Sequence, residues 1–394
     1  MSDPVLNPWQ VAWAKPGVRF GTFLVALVAL AGLYAPFLAG EVALVWHDAQ
    51  GWSFPVLGDL FNRRSYGKPH DLVFNLTGLL LPFLLVAGWL LRHRLGLGQR
   101  LLGGLLVLVA GIILCLAPLP GGALWRDRPL AQETLANQTR ATWAVFPLAA
   151  FRADTPVPGA ALLAPLARDE ASGRRFWLGT DSAGKDVLAQ MVSGARISLT
   201  IGIIATGLSL LIGTLIGALS GFFGGWVDLL LQRLVEIMMC FPTFILVLSV
   251  VALLGRDIFL IMTVIGLTGW AGTARLVRGA YMAESVRDYV LAGRSLGLSN
   301  VRLMFRHILP NALAPLLISA TFGVAGAVLA ESGLSFIGLG DPTAASWGAL
   351  LEQGRQNIRY AWLIYVPGMA VFLLVTALNL IGNGLREALD PRHA

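Results

Sequence analysis

Six arginines stand between residues 275 and 306: Arg275, Arg278, Arg287, Arg294, Arg302 and Arg306. Val301, Met304, Phe305 and Ile308 recur there at i, i+3, i+4 and i+7, while Arg302 and Arg306 fall on another face. That spacing predicts an amphipathic helix at a membrane surface. Before it, residues 288–296 also read helical and end at Gly297, the residue type that stops a helix in the left-handed conformation. Ser299 or Asn300 caps the next helix. Pro310 opens the following apolar run, where its missing N–H costs little. The stretch therefore reads as helix–turn–helix, braced into the membrane on both sides. From pattern alone, a docking surface and a connecting loop with snorkelling arginines both stay open.

Other chemistry is sparse. Gly179 to Lys185 spells G-x-x-x-x-G-K, a phosphate-loop pattern, but Asp186 follows where magnesium binding needs Ser or Thr. An anion there repels phosphate, so the match reads as fortuitous and the chain as lacking a nucleotide site. Glu236 lies inside an apolar run, which makes it a functional hypothesis by default; the plainer reading is a span-end carboxylate that pairs with Arg233 or snorkels. Pro242 is expected to kink that run. Glu331 either meets a substrate amino group or pairs with a neighbouring helix. Gly323, Gly326, Ala327 and Ala330 beside it suit close helix packing. His307 has no partner at metal-ligand spacing, and no metal site is expected. Cys115 and Cys240 both sit in apolar runs and read as buried, inert thiols.

Composition says what must position these groups. The chain has 394 residues, 56% apolar and 13% charged, with a mean hydropathy of +0.71. Soluble domains carry about 25% charge, so a soluble enzyme and a disordered chain are excluded, and an all-α polytopic membrane protein remains. Net charge is +7, but the basic residues cluster in short loops between apolar runs, where they set topology; nucleic acid is not implied. Spans need roughly 20 apolar residues each. Eight are read, near residues 18–39, 72–91, 101–119, 197–221, 227–254, 259–274, 312–337 and 362–385. Lys15 and Arg19 place the N-terminus in the cytoplasm, and signal-peptide cleavage is not expected because no small-x-small site ends the first run. The arginine cluster, with Arg386 and Arg392, places both termini and the 275–306 loop inside and residues 120–176 outside. That outer stretch reads as irregular, with one short helix near 131–143. The domain reading is 1–119 with three spans, 120–195 as a periplasmic segment, and 196–394 as the transmembrane core.

The run Leu291-Ala292-Gly293-Arg294-Ser295-Leu296-Gly297, followed by Arg306-His307-Ile308-Leu309-Pro310-Asn311, resembles the EAA loop of binding-protein-dependent ABC importer permeases. Leu291 stands where the generic motif has Glu, as in the peptide-transporter branch, and Gly293 stands where it has Ala, which softens the helix by about 1 kcal/mol. Other stretches are similar to the dipeptide/oligopeptide/nickel permeases of the C-subunit type. These are Leu178-Gly179-Thr180-Asp181 with Gly184-Lys185-Asp186-Val187-Leu188, Gly194-Ala195-Arg196-Ile197-Ser198-Leu199, the run from Gly333 to Gly340, and Ser346-Trp347-Gly348. The resemblance covers residues 177–392. The first half departs from it by two additional spans; residues 46–55 are faintly similar to permeases of the microcin C type.

This resemblance implies an ABC permease fold whose five C-terminal spans form the core around a cytoplasmic coupling helix. It implies peptide uptake across a bacterial inner membrane by alternating access, not enzymatic chemistry. Coupling to an ATPase falls on Leu291, Ala292, Gly293, Arg294, Leu296, Gly297, Arg306 and Pro310. The translocation path or gate falls on Glu331, Ser335, Phe336 and Trp347. Implied partners are a second homologous permease subunit in a heterodimer, two ATP-binding subunits that hold ATP and Mg, a periplasmic substrate-binding protein and membrane lipid. No cofactor is expected on this chain. The competing function is an ion-coupled secondary transporter acting without ATPases, which predicts midplane acidic residues and internal repeats. An intramembrane enzyme is the third, and it lacks paired catalytic groups.

Overall fold

The computed structural model describes residues 8–389 apart from 50, 95, 118–122, 130 and 132–133. Arg392 and the expected end of the third span at residue 119 lie outside the described residues. The main helices are α1 (Pro16–Leu33), α2 (Pro69–Leu90), α3 (Leu97–Leu116), α4 (Val187–Phe223), α5 (Gly225–Cys240), α6 (Thr243–Leu254), α7 (Ile258–Ser285), α8 (Asp288–Ser295), α9 (Leu309–Phe336), α10 (Trp347–Gln356) and α11 (Trp362–Leu389). Among the described residues, seven helices are long and apolar enough to cross a membrane, or eight crossings if the bent pair α5–α6 is one. The chain is an all-α polytopic membrane protein. Its only departure from helix among the described residues, besides loops and isolated bridges, is a small antiparallel sheet in the order β2-β1-β3, formed by β1 (Val45–Asp48), β2 (Gly51–Ser53) and β3 (Trp143–Val145). The sheet was not legible in the sequence. The short helix expected near 131–143 is a 3₁₀ turn at Leu135–Arg140.

Two compact units result: one holds residues 1–27, 198–355 and 367–394, the other 28–197 and 356–366. In the first, α4 and α7 pack at very short range. A Cβ on Gly213 or Gly221 would stand 2.6 Å from Thr273 Cβ or Arg278 O, and one on Gly217 would strike Ala274 O. Those glycines recur every four residues, so one helix face is cleared for the partner backbone, the usual device of membrane helix packing. A Cβ on Gly323 would likewise stand 2.7 Å from Thr206 Cγ2, whereas one on Gly326 would meet nothing within 4 Å.

In the second unit Arg196 is buried. Its guanidinium donates to Gly32 O at 2.6 Å, Asp71 Oδ1 at 3.1 Å and Asn75 Oδ1 at 2.6 Å, and lies over the rings of Tyr66 and Phe74. Asp71 and Asn75 belong to the first of the two additional spans. A core-motif arginine is therefore satisfied by the inserted segment, as burial of a cation demands.

The bend expected at Pro242 is present: the fifth span is two helices meeting at 77°, because Pro242 has no N–H to continue the ladder and Phe241 is extended. Two expectations need correction. The sixth span runs on to Ser285, so Arg275 and Arg278 ride on α7 instead of a loop. Cys240 is exposed, since it sits at the break, while Cys115 is buried as expected.

Candidate coupling site

The α8 helix ends as its residues dictate. Gly297 has φ +73°, its N–H donates to Arg294 O at 3.0 Å, and Leu298 N–H donates to Gly293 O at 3.0 Å. These two bonds are the Schellman arrangement, which needs a left-handed residue at this position. Ser299 then caps the next turn by accepting from Arg302 N–H. Pro310 lies in the first turn of α9. All three punctuation marks stand where the sequence puts them.

The segment between them differs from the expected amphipathic helix. Only Asn300–Arg302 is α-helical; Leu303–Ile308 is a π-helix. The wider turn changes the buried face. Leu303, Met304 and Ile308 are buried, and Val301 and Phe305 are exposed. Leu303 joins Met304 and Ile308 on the buried face, five residues before Ile308, because the i→i+5 ladder turns less per residue. Tyr281, fully buried on α7, donates from its hydroxyl to Met304 O at 3.1 Å and so ties the π-turn to α7.

Gly293 is also re-read. It is buried, and a Cβ there would stand 2.8 Å from Leu303 Cδ2. Its absent side chain lets α8 lie against the π-turn, so the position brings the helix closer to its support. Val290, Leu303, Met304, Ile308, Tyr281, Phe222 and Ala218 form one apolar cluster beneath α8. Each fully buried aliphatic side chain contributes about 1.5–3 kcal/mol, so α8 is held by packing on the spans and not by its own eight-residue propensity.

Arg294 lies over the ring of Phe222 at 5.0 Å. With Gly221, Phe223, Gly224, Met282, Ser285, Val286 and Leu291 these two line a cavity of about 420 Å³. Nearby, Arg278 makes a bidentate pair with Asp228 Oδ1 and Oδ2, both at 2.6 Å, and Ser220 donates to the same carboxylate. This pair pins the α4–α5 corner to α7. Tyr289 donates to Glu284 at 2.7 Å and accepts from Asn311 at 3.0 Å; burial and the Glu284 bond push its phenol up.

The expected coupling residues thus come together at one end of the bundle. Leu291, Ala292, Arg294, Leu296, Gly297, Arg306 and Pro310 are exposed, and Gly293 faces inward. The site offers apolar Leu291, Leu296 and Val301 beside exposed arginines. Tyr281, Phe222 and the Asp228–Arg278 pair were missed by sequence reasoning; no local pattern marks them, because each acts through a residue distant in the chain.

The second expected set is placed elsewhere. Glu331, Ser335 and Trp347 are buried and Phe336 is exposed. Glu331 accepts from Ser335 at 2.7 Å and is bonded also by Ser332 and Ser346. Gly340 and Gly348 sit against Ser335, which closes the turn after α9 tightly around this carboxylate. Gly179 and Gly184 adopt φ +79° and +81°, but the loop is wrapped on its own acid: Asp181 accepts from the N–H groups of Ala183 and Lys185 at 2.9 and 2.8 Å and from Gln190 at 2.9 Å. An aspartate occupies the place a phosphate needs. Asp186 caps α4 through Ala189 N–H; burial pushes its carboxyl up to about 6, against the pull of that backbone bond.

Comparison with known proteins accords with this geometry. The signature described as "Binding-protein-dependent transport system inner membrane component" matches residues 213–394. The di/tripeptide transport system permease protein DppC of Pseudomonas aeruginosa is 41% identical over 233 residues, covering 59% of this chain and 77% of that relative. The oligopeptide transport system permease protein OppC of Bacillus subtilis is 37% identical over 226 residues, 57% of this chain and 74% of that one. Among solved structures, the inward-facing MetNI methionine ABC transporter aligns with a TM-score of 0.43 at 17% identity, over 50% of this chain and 96% of that one. The signature's residues 213–394 contain α8, the π-turn, α7 and α9, and with relatives of 41% and 37% identity covered to 77% and 74% of their length the chain belongs to the family of binding-protein-dependent transport system inner membrane components, the permease subunits of ABC importers.

Proposed function

We propose that this chain is one half of the translocation pore of a peptide importer in a bacterial inner membrane, paired with a second, homologous permease chain as a heterodimer. Its relatives are named for dipeptide, tripeptide and oligopeptide transport, which supports the substrate class. Two ATP-binding subunits, holding ATP and Mg, dock on α8; a periplasmic substrate-binding protein delivers the peptide at the other end, and lipid surrounds the outer helices. Both termini lie in the cytoplasm. The domains of this reading are 1–119, the periplasmic segment 120–195 and the permease core 196–394. The observation that carries it is α8 itself: a short helix with an exposed outer face, welded by Gly293, Val290 and the π-turn to three spans. A push on Leu291, Ala292, Arg294, Leu296, Gly297, Arg306 or Pro310 moves α7 and α9 together, and alternating access follows. Of the second set, burial and serine bonds favour packing roles for Glu331, Ser335 and Trp347, and exposed Phe336 is the member suited to the path.

Purification of the intact assembly tests the proposal. Two ATPases and a second permease chain are expected with it, and vesicles containing it take up dipeptides only with ATP. Uptake by this chain alone, driven by a proton gradient, would overturn it. A finer test is Tyr281→Phe, which removes the hydroxyl bond and leaves Met304 O with the Leu309 N–H alone, at a cost of about 0.5–1.5 kcal/mol. Peptides transported per ATP hydrolysed should fall while hydrolysis continues. An unchanged ratio removes Tyr281 from the transmission.

A further inference from the structure

The α5 helix carries charge where a lipid-facing span carries none. Arg233 and Glu236 form an ion pair at 2.7 Å, yet their side chains are 69% and 51% exposed. They and exposed Cys240 fall at i, i+3 and i+7, one stripe of the helix. Exposed Trp226 and Leu229 continue the same stripe toward the start of α5, and exposed Leu230, Leu234 and Ile237 lie beside it, so the polar groups are confined to the half of α5 nearer its end. The α5–α6 pair is apolar enough to count as one broken span, and Arg233, Glu236 and Cys240 all lie inside it.

The stripe runs into the 77° break between α5 and α6. A helix end leaves carbonyls without partners, and at membrane depth such backbone survives only where protein buries it or water reaches it. Among the described residues, Met239, Phe241 and Phe244 beside the break are exposed. An exposed ion pair and an open helix end are two separate costs in lipid, and water relieves both.

We propose that the Arg233–Glu236–Cys240 stripe and the Phe241–Pro242 break line a water-filled conduit for the transported molecule. The inference rests on the permease reading above and extends it by naming the lining. The occupant it fits is a zwitterion such as a short peptide with free ends. Glu236 offers a passing partner to its ammonium group and Arg233 to its carboxylate, and because the two already pair with each other, neither holds the traveller tightly.

The native thiols supply the test. The complete importer, with Cys115→Ala in this chain, is placed in vesicles with a membrane-impermeant cationic methanethiosulfonate on both sides. Modification of Cys240, loss of uptake, and slower modification under saturating dipeptide are expected. Cys240 left unmodified, whether or not a lipid-soluble maleimide reaches it, overturns the conduit. If Cys115→Ala fails to assemble, the parent chain is labelled and the site read by peptide mapping, since Cys115 is buried. Modification of Cys240 in a complex that moves no peptide leaves the conduit standing and removes the peptide reading. Peptide uptake with a silent Cys240 does the reverse.

Discussion

Gly297→Pro abolishes ATP-driven uptake while the chain still inserts and assembles. Gly297 sits at φ +73°, a conformation open to glycine and closed to proline, whose ring holds φ near −65°. Proline also removes the N–H that donates to Arg294 O. Together these cost about 3 kcal/mol or more at this turn. That loss exceeds what an eight-residue helix can absorb, so α8 frays from its C-terminal end and the surface of Leu291, Arg294 and Leu296 is lost. The spans are untouched, because the loss stays in a turn outside the membrane. Gly297→Ala is the control. It keeps the N–H and pays only for left-handed backbone, about 1 kcal/mol, and should retain most of the uptake. Uptake and peptide-stimulated ATP hydrolysis, measured on purified assemblies of equal subunit content, decide the matter. A proline variant that transports at the parent rate removes α8 from the coupling path.

Asp71→Ala destabilises the chain by about 3 kcal/mol, at the lower end of the range for removing one partner of a buried ion pair. The lower end applies because Asp71 is 19% exposed, although Arg196 is only 3% exposed. Without Asp71, Arg196 keeps Gly32 O and Asn75 Oδ1 as acceptors but loses the carboxylate that pairs with it. The double variant Arg196→Met with Asp71→Leu recovers most of the loss, since replacing both charges by apolar groups leaves no charge uncompensated. Thermal unfolding in detergent, followed by tryptophan fluorescence, reads all three chains. Equal midpoints for Asp71→Ala and the parent would show that the inserted spans are not tied to the core through this pair. The prediction also assigns the two additional spans a structural role, because they supply the counter-ion for an arginine of the core motif.

Much of the coupling region was readable from local signals. Gly297, Ser299 and Pro310 each act through bonds within four or five residues, so a sequence displays them directly. The eight apolar runs were legible for a similar reason: bilayer thickness sets their length, whatever lies beside them. Legibility ended where a residue's neighbour came from far along the chain. The amphipathic spacing of Val301 and Phe305 promised one face, and a π-turn packed on Tyr281 presented another. Gly293 looked like a weak point in a helix and is a contact with Leu303. Glu236 was foreseen as a partner of Arg233, and the exposure of both was not.

The sequence by itself therefore determined the class of protein, the order of its apolar runs and the caps that punctuate α8 and the turn after it, because hydropathy and helix caps act over one or two turns. Only the tertiary structure decided which side of each helix is covered. It set Arg196 against Asp71 across 125 residues, cleared the glycine face of α4 for α7, and left the α5–α6 break open. Those outcomes depend on shape and charge meeting across the bundle, and such meetings leave no period in the chain that makes them.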